Sequence, residues 1–223
     1  MAAARLFGPP TADDRNGRAA DIDQAKLVAA LVALGAKMAK ADGQVTDEDI
    51  VAFRQVFRTD PQTEATISRF FNLARQTTLG YKRYARIVTK AFRAQPGILE
   101  DVLDGLFHIA LADGIVTEDE AEFLETVAEV FGFSDREYRR IRNAHLGQDA
   151  DDPYLILAVD PDISDKDLKT AYRRQAAANH PDRLLARGLP KEMVGIANHK
   201  MAIINRAYSQ ILEERKAERP RLA

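Results

Sequence analysis

The chain contains no cysteine. Disulfides, thiolate metal sites and cysteine nucleophiles are thereby excluded, and the sequence suits a reducing compartment. No apolar run approaches the roughly 20 residues that a bilayer-spanning helix requires, so no membrane segment is expected. The opening stretch MAAARLFGPPTADDRNGRAA is too polar for a signal peptide or an anchor, and residues 1–20 read as a disordered leader. A cytoplasmic protein is expected. Strand signals are nearly absent. A strong charge of either sign is also missing: 32 Lys and Arg stand against 34 Asp and Glu, and the net charge of −2 argues against nucleic acid as a partner.

What is present is helical spacing. The 223 residues are 46% hydrophobic, enough for one or two cores. Ile22, Leu27, Leu31, Leu34 and Met38 recur at helical intervals on an alanine-rich background. Asp60 and Pro61 form a helix start, Gly80 divides two helices, Pro96 opens another, and Ser134 with Asp135 caps a further one. The expected fold class is all-α. Charge is unevenly shared. Residues 1–152 carry 19 basic against 25 acidic side chains, and residues 153–223 carry 13 against 9. An acidic head and a basic tail suggest two modules with different partners. The polar stretch GQDADDP lies where the sign changes, which places a helical module at 21–147, a linker at 148–152 and a second module at 153–223.

The acidic module contains an echo. AKADGQVTDED (39–49) returns 71 residues later as ALADGIVTEDE (110–120), each after an apolar helix, which suggests a duplicated helix–turn–helix packed as a pseudo-symmetric bundle. Asp-Gly followed by acids invites a calcium reading, but an EF-hand loop fails here. With Gly43 or Gly114 at the loop's glycine position, the first and third ligand positions fall on Met38 and Lys40, or on Ile109 and Leu111. Capping explains the same residues. Gly43 and Gly114 end helices, Thr46 and Thr117 start the next ones, and Asp49 and Glu120 complete capping boxes three residues on. No metal and no cofactor is expected. The paired turns resemble the TerB-like family over about residues 21–146, and that resemblance implies acidic surface patches with metal or partner binding.

The basic module turns on the stretch ANHPDR. A helical run, SDKDLKTAYRRQAAA, stops at a histidine, and Pro181 prevents its continuation. Lys166, Lys169 and Arg173 fall at spacings of three and four on one basic stripe, with Leu168, Ala171 and Ala178 turned elsewhere. Met201, Ile204, Tyr208 and Ile211 give the last helix a facing stripe. Two antiparallel helices would then form a finger with 180–182 at its tip. Neither a serine or cysteine nucleophile nor a glycine-rich phosphate loop accompanies His180 and Asp182, so no enzyme is expected. His108, in an apolar run, is expected in the core, and nothing is assigned to His145 or His199.

Residues 152–216 resemble the J domain of DnaJ-type co-chaperones. Tyr154, Leu157 and Val159 match its first helix, Ala171 to Arg174 its second, His180-Pro181-Asp182 its signature loop, and Ala207, Tyr208 and Ile211 its third. Gln175 and Asn179 depart from the pattern, standing where the family usually places large apolar residues. The combination with a TerB-like module resembles the DjlA family of bacterial J-domain proteins. The resemblance implies a co-chaperone that stimulates ATP hydrolysis by a DnaK-type chaperone. It gives the contacting role to Lys169, Tyr172, Arg173, Arg174, His180, Pro181 and Asp182. The acidic module would recruit a client protein. The alternative is a TerB-type stress-response or metal-responsive binding protein with the finger as an appendage.

Overall fold

A computed structural model describes residues 12–58, 61–147 and 152–218. The expected cap at Asp60, the residues 148–151 of the expected linker, and the ends 1–11 and 219–223 lie outside the described residues. The architecture is helical throughout, with no strand among the described residues. Among the described residues, seven helices precede the linker: α1 (Ala12–Met38), α2 (Asp47–Val56), α3 (Pro61–Ala74), α4 (Tyr81–Ala91), α5 (Pro96–Ala110), α6 (Glu118–Phe131) and α7 (Asp135–Leu146). After it come α8 (Pro153–Ile156), α9 (Asp165–Ala178), α10 (Pro181–Ala186), a 3₁₀ turn (Lys191–Met193) and α11 (Val194–Glu218). One expectation needs correcting. The helix α1 begins at Ala12, so the described part of the supposed leader is helical. Ala12, Ala19 and Ala20 favour helix by propensity alone, which an apolar periodicity does not register.

The duplicated turns are built as their residues dictate. Gly43 and Gly114 have φ of +90° and +89°, a region that excludes most side chains. The Thr46 N–H donates to the Asp49 carboxylate at 2.8 Å, and the Asp49 N–H donates back to Thr46 Oγ1 at 3.1 Å. Thr117 and Glu120 repeat this at 2.8 and 3.3 Å. Ser134 and Glu137 form a third box at the start of α7. These reciprocal bonds satisfy the orphan donors of each first turn.

The buried faces of α1, α2, α4, α5 and α6 meet in one large core, in which Leu34, Ile98, Leu103, Phe107 and Ile109 are fully inaccessible. Lys37 is also buried there. Its ammonium donates to Thr77 O at 2.6 Å and Ala74 O at 3.4 Å, tying the α3–α4 connection to α1. Burial lowers its pKa. A smaller core holds α8, α9 and the second half of α11 together through Leu157, Leu168, Ile204, Ala207 and Ile211. The larger core does not stop at the linker. It takes in Leu184, Leu189, Met193, Ile196 and Ala197, so α11 spans both cores.

Candidate functional site

The basic arm is α9. Ser164 caps it by accepting the Asp167 N–H at 3.1 Å, and Asp165 and Asp167 in the first turn complement the helix dipole. Its inner face buries Leu168 and Ala171 against α11. The opposite face leaves Lys166, Lys169, Arg173 and Arg174 exposed, and none of them forms an ion pair among the described residues. Tyr172 is placed differently. It is half-buried, stacks on Tyr208 at 4.2 Å and donates its hydroxyl to Asn205 Oδ1 at 3.0 Å. It braces the two helices of the finger, with only its rim available outside.

The tip follows from helix-end chemistry. Asn179 closes α9 by donating both its N–H and its side-chain Nδ2 to the backbone carbonyl of Gln175, so the departure at Asn179 makes a local polar cap. His180 then starts α10. Its Nδ1 accepts the Asp182 N–H at 3.3 Å, and Pro181 occupies the first helical position, where no N–H is needed. With Nδ1 accepting, a neutral ring carries its proton on Nε2. Asp182 Oδ2 lies 3.7 Å from His180 Nδ1, with side-chain exposures of 88% and 54%. Such an arrangement offers a carboxylate, an imidazole donor and a row of cations to a macromolecule.

The flank behind the tip is fixed. Leu184 is 1% exposed and Leu189 3%, both inside the larger core. At the start of α11 the backbones nearly touch: a Cβ on Gly195 would lie 1.8 Å from Gln55 O. A Cβ on Gly105 would lie 2.8 Å from Ile196. Polar groups seal this seam. Lys200 Nζ reaches Asp101 at 2.5 Å and Asp104 at 2.6 Å, while His145 Nε2 meets Asp104 at 2.8 Å. Burial pushes Asp104 up, but Lys200 and His145 outweigh it and hold the carboxyl below its ordinary value. Burial raises Asp101, against the pull of Lys200. Lys200 itself is held above its usual value, because the two carboxylates overcome its desolvation.

His108 is a correction. It is half-buried at this seam, with Nε2 2.6 Å from Gln55 Oε1 and its ring 4.0 Å from that of His199. The apolar run around it belongs to α5, but its own position faces the incoming α11. The sequence did carry a signal for the seam. Asp101 and Asp104, three apart within PGILEDVLDGLFHIA, mark one face of an otherwise buried helix as requiring a cation. His180, Pro181 and Asp182 follow directly on the C-terminal end of α9, while Lys200 and the three seam histidines escaped the sequence reading.

Comparison with known proteins finds two family matches along the chain. Residues 28–143 match the family of the tellurite resistance protein TerB, and residues 152–219 match the DnaJ domain. The chain is 30% identical to the co-chaperone protein DjlA of Coxiella burnetii, over 80% of this chain and 73% of that one. It is 28% identical to the DjlA of Photobacterium profundum, over 86% and 79% of the two chains. The DjlA of Vibrio cholerae is also 28% identical, over 80% and 74%. No solved structure matches. With a TerB module packed against a DnaJ domain that holds out its His-Pro-Asp tip, the chain belongs to the DjlA family of co-chaperones.

Proposed function

We propose that α9 and the 180–182 tip dock on a DnaK-type chaperone and stimulate its ATP hydrolysis, while the TerB module recruits the client. The observation that carries this reading is the exposed tip beside four cations that form no ion pair among the described residues. A fixed flank holds the tip in place, so little conformational freedom is lost on docking. The cations of α9 steer an acidic partner surface and set its orientation. Asp182 then accepts from a donor on the partner, and Nε2–H of His180 donates. Stimulation follows if the partner's hydrolysis-competent state binds the tip more tightly than its other state, since only a differential affinity shifts an equilibrium. The chain hydrolyses nothing itself, and its site of action is the cytoplasm.

The metal-responsive alternative has less support. Asp49 and Glu120 already accept both the N–H and the hydroxyl of Thr46 and Thr117, respectively. Single-turnover ATPase of a DnaK-type partner tests the proposal. The His180→Gln variant should stimulate about tenfold less at equal concentration, a loss near 1.4 kcal/mol in transition-state binding. Equal stimulation by both proteins would remove the co-chaperone mechanism.

A further inference from the structure

We propose that the exposed face of α4, together with the α3–α4 connection, is a docking surface for an anionic phospholipid bilayer. Residues 65–99 contain no aspartate or glutamate and seven lysines and arginines. The same module elsewhere is acidic: over 1–152, the remaining 12 basic side chains face 25 acids. The stretch is therefore a cationic island in a negative domain.

The structure gathers most of that charge on one face. Lys82, Arg86, Lys90 and Arg93 follow one another at spacings of four, four and three, with Arg83 beside them. Lys82, Arg83, Arg86 and Lys90, within α4, occupy an arc of about 100° at 3.6 residues per turn, and Arg93 lies in the turn just beyond it. All five are exposed. The other side of α4 buries Ala85 and Val88, with Phe92 just beyond, and Tyr81 stacks on Phe123 of α6 at 4.3 Å. No ion pair neutralises any of the five among the described residues. Like charges four apart oppose each other in an isolated helix, and cations in a first turn oppose the dipole. Here α4 has Lys82 and Arg83 in that turn, no acid there, and no side-chain cap at Gly80. Its local stability is thus lower than an ordinary surface sequence would give, and an external anionic surface relieves that repulsion.

Apolar side chains select the bilayer over other polyanions. Leu79 is 81% exposed and Leu73 63%; Leu73 lies in the last turn of α3 and Leu79 just before Gly80, on either side of the connection that Lys37 pins. Leu79 is three residues from Lys82 and four from Arg83. A nucleic-acid backbone would take the cations but leave the leucines in water. A bilayer receives cations among its headgroups and leucines at the acyl boundary. The surface shares no residue with α9 or the tip, so it stands or falls independently of chaperone docking.

The test is flotation of the full chain with vesicles of pure phosphatidylcholine and with vesicles rich in phosphatidylglycerol. Binding is expected only to the anionic vesicles, and should weaken with added salt. The triple variant Lys82→Glu, Arg86→Glu, Lys90→Glu should partition at least about a hundredfold less, with its helical circular dichroism unchanged. Leu79→Ser, at unchanged charge and on an exposed loop, should reduce binding several-fold. Wild-type binding by the triple variant, or no binding to anionic vesicles, would overturn the proposal. So would Leu79→Ser vesicles bound as well as wild type and fully displaced by duplex DNA, because that outcome describes a general polyanion site.

Discussion

At its start α11 runs inside the larger core, with Ile196 and Ala197 buried and Lys200 between two carboxylates, whereas at its end it lines the small core of the finger and Arg215 reaches an exposed aspartate. The two halves of one helix are thus held by different physics. The first half has near-contact of backbones and a desolvated charge cluster, which tolerate little displacement. The second half rests on five buried side chains and a Tyr172–Tyr208 stack. So small a core gives limited stability by itself. The tip hangs between them, and its orientation is set by the tighter half. The module that would bring the client therefore also aims the finger.

The largest effect that could break this contrast is at Gly195. Any side chain there meets the carbonyls of Gln55 and Val56, at 1.8 and 2.5 Å from its Cβ. Both are backbone atoms and cannot rotate away. Gly195→Val should cost about 3 kcal/mol or more, measured as the shift in urea unfolding free energy. A cost below about 1 kcal/mol would mean that the seam yields easily, and the asymmetry between the two halves would disappear.

Next comes the charge cluster. Lys200→Met removes the cation and leaves Asp101 and Asp104 facing each other in a largely dehydrated seam. Breaking a buried pair in this way costs on the order of 3 kcal/mol. Asp101→Asn should cost less, since burial already favours the neutral form of that carboxyl. Thermal unfolding of the two variants side by side gives the comparison, and an equal loss would show that Lys200 treats both carboxylates alike.

Much of this molecule was readable beforehand, and the missing parts share a cause. Caps and turns are local, so Thr46, Thr117, Ser134, Gly43 and Gly114 announced their roles through spacing alone. Leu168 of α9 and Ile204, Tyr208 and Ile211 of α11 followed from helical periodicity, while Ala178 and Met201 of the same stripes fall in neither core, and the tip followed from a proline that no helix interior accepts. The seam did not follow, because it joins residues about 100 positions apart, and no local pattern specifies which helix covers Asp101. The change of charge at the linker suggested two modules with different partners and carried no information about how they pack. Tyr172 was read as a contact residue from the family pattern, while its stack on Tyr208 needs the relative height of two helices.

Acid should open the contrast from a different direction. Burial pushes the His108 ring down to about 4, with His199 and His145 adding repulsion. His199 is lowered by the same causes, burial first. In the unfolded chain both rings titrate near ~6.5. Between that value and about 4 the unfolded state binds more protons, so the stabilisation present above pH ~6.5 is lost as pH falls through this window. Asp104, held below the usual carboxylate value, adds its own loss only at lower pH. The melting temperature should therefore drop from pH 6.5 to 4, and His108→Gln should flatten that slope. An unchanged slope in the variant would place the acid sensitivity outside the seam.

The smallest effect is expected at the far end of α11, and it serves as the control for all the others. Arg215 Nη1 lies 2.7 Å from Asp165 Oδ1, its Nη2 donates to Pro161 O at 3.0 Å, and the guanidinium sits 5.9 Å from the Tyr154 ring centroid. This looks like a richer set of contacts than Lys200 makes. Yet the Asp165 side chain is 52% exposed, so water competes for the ion pair and salt screens it. Arg215→Ala should cost about 1 kcal/mol or less, and raising the salt concentration should shrink the difference from wild type. The Lys200→Met deficit should resist salt, because its partners are buried. If both deficits fall together as salt is added, desolvation does not distinguish the two ends of the helix, and the aim of the finger would have to be set elsewhere.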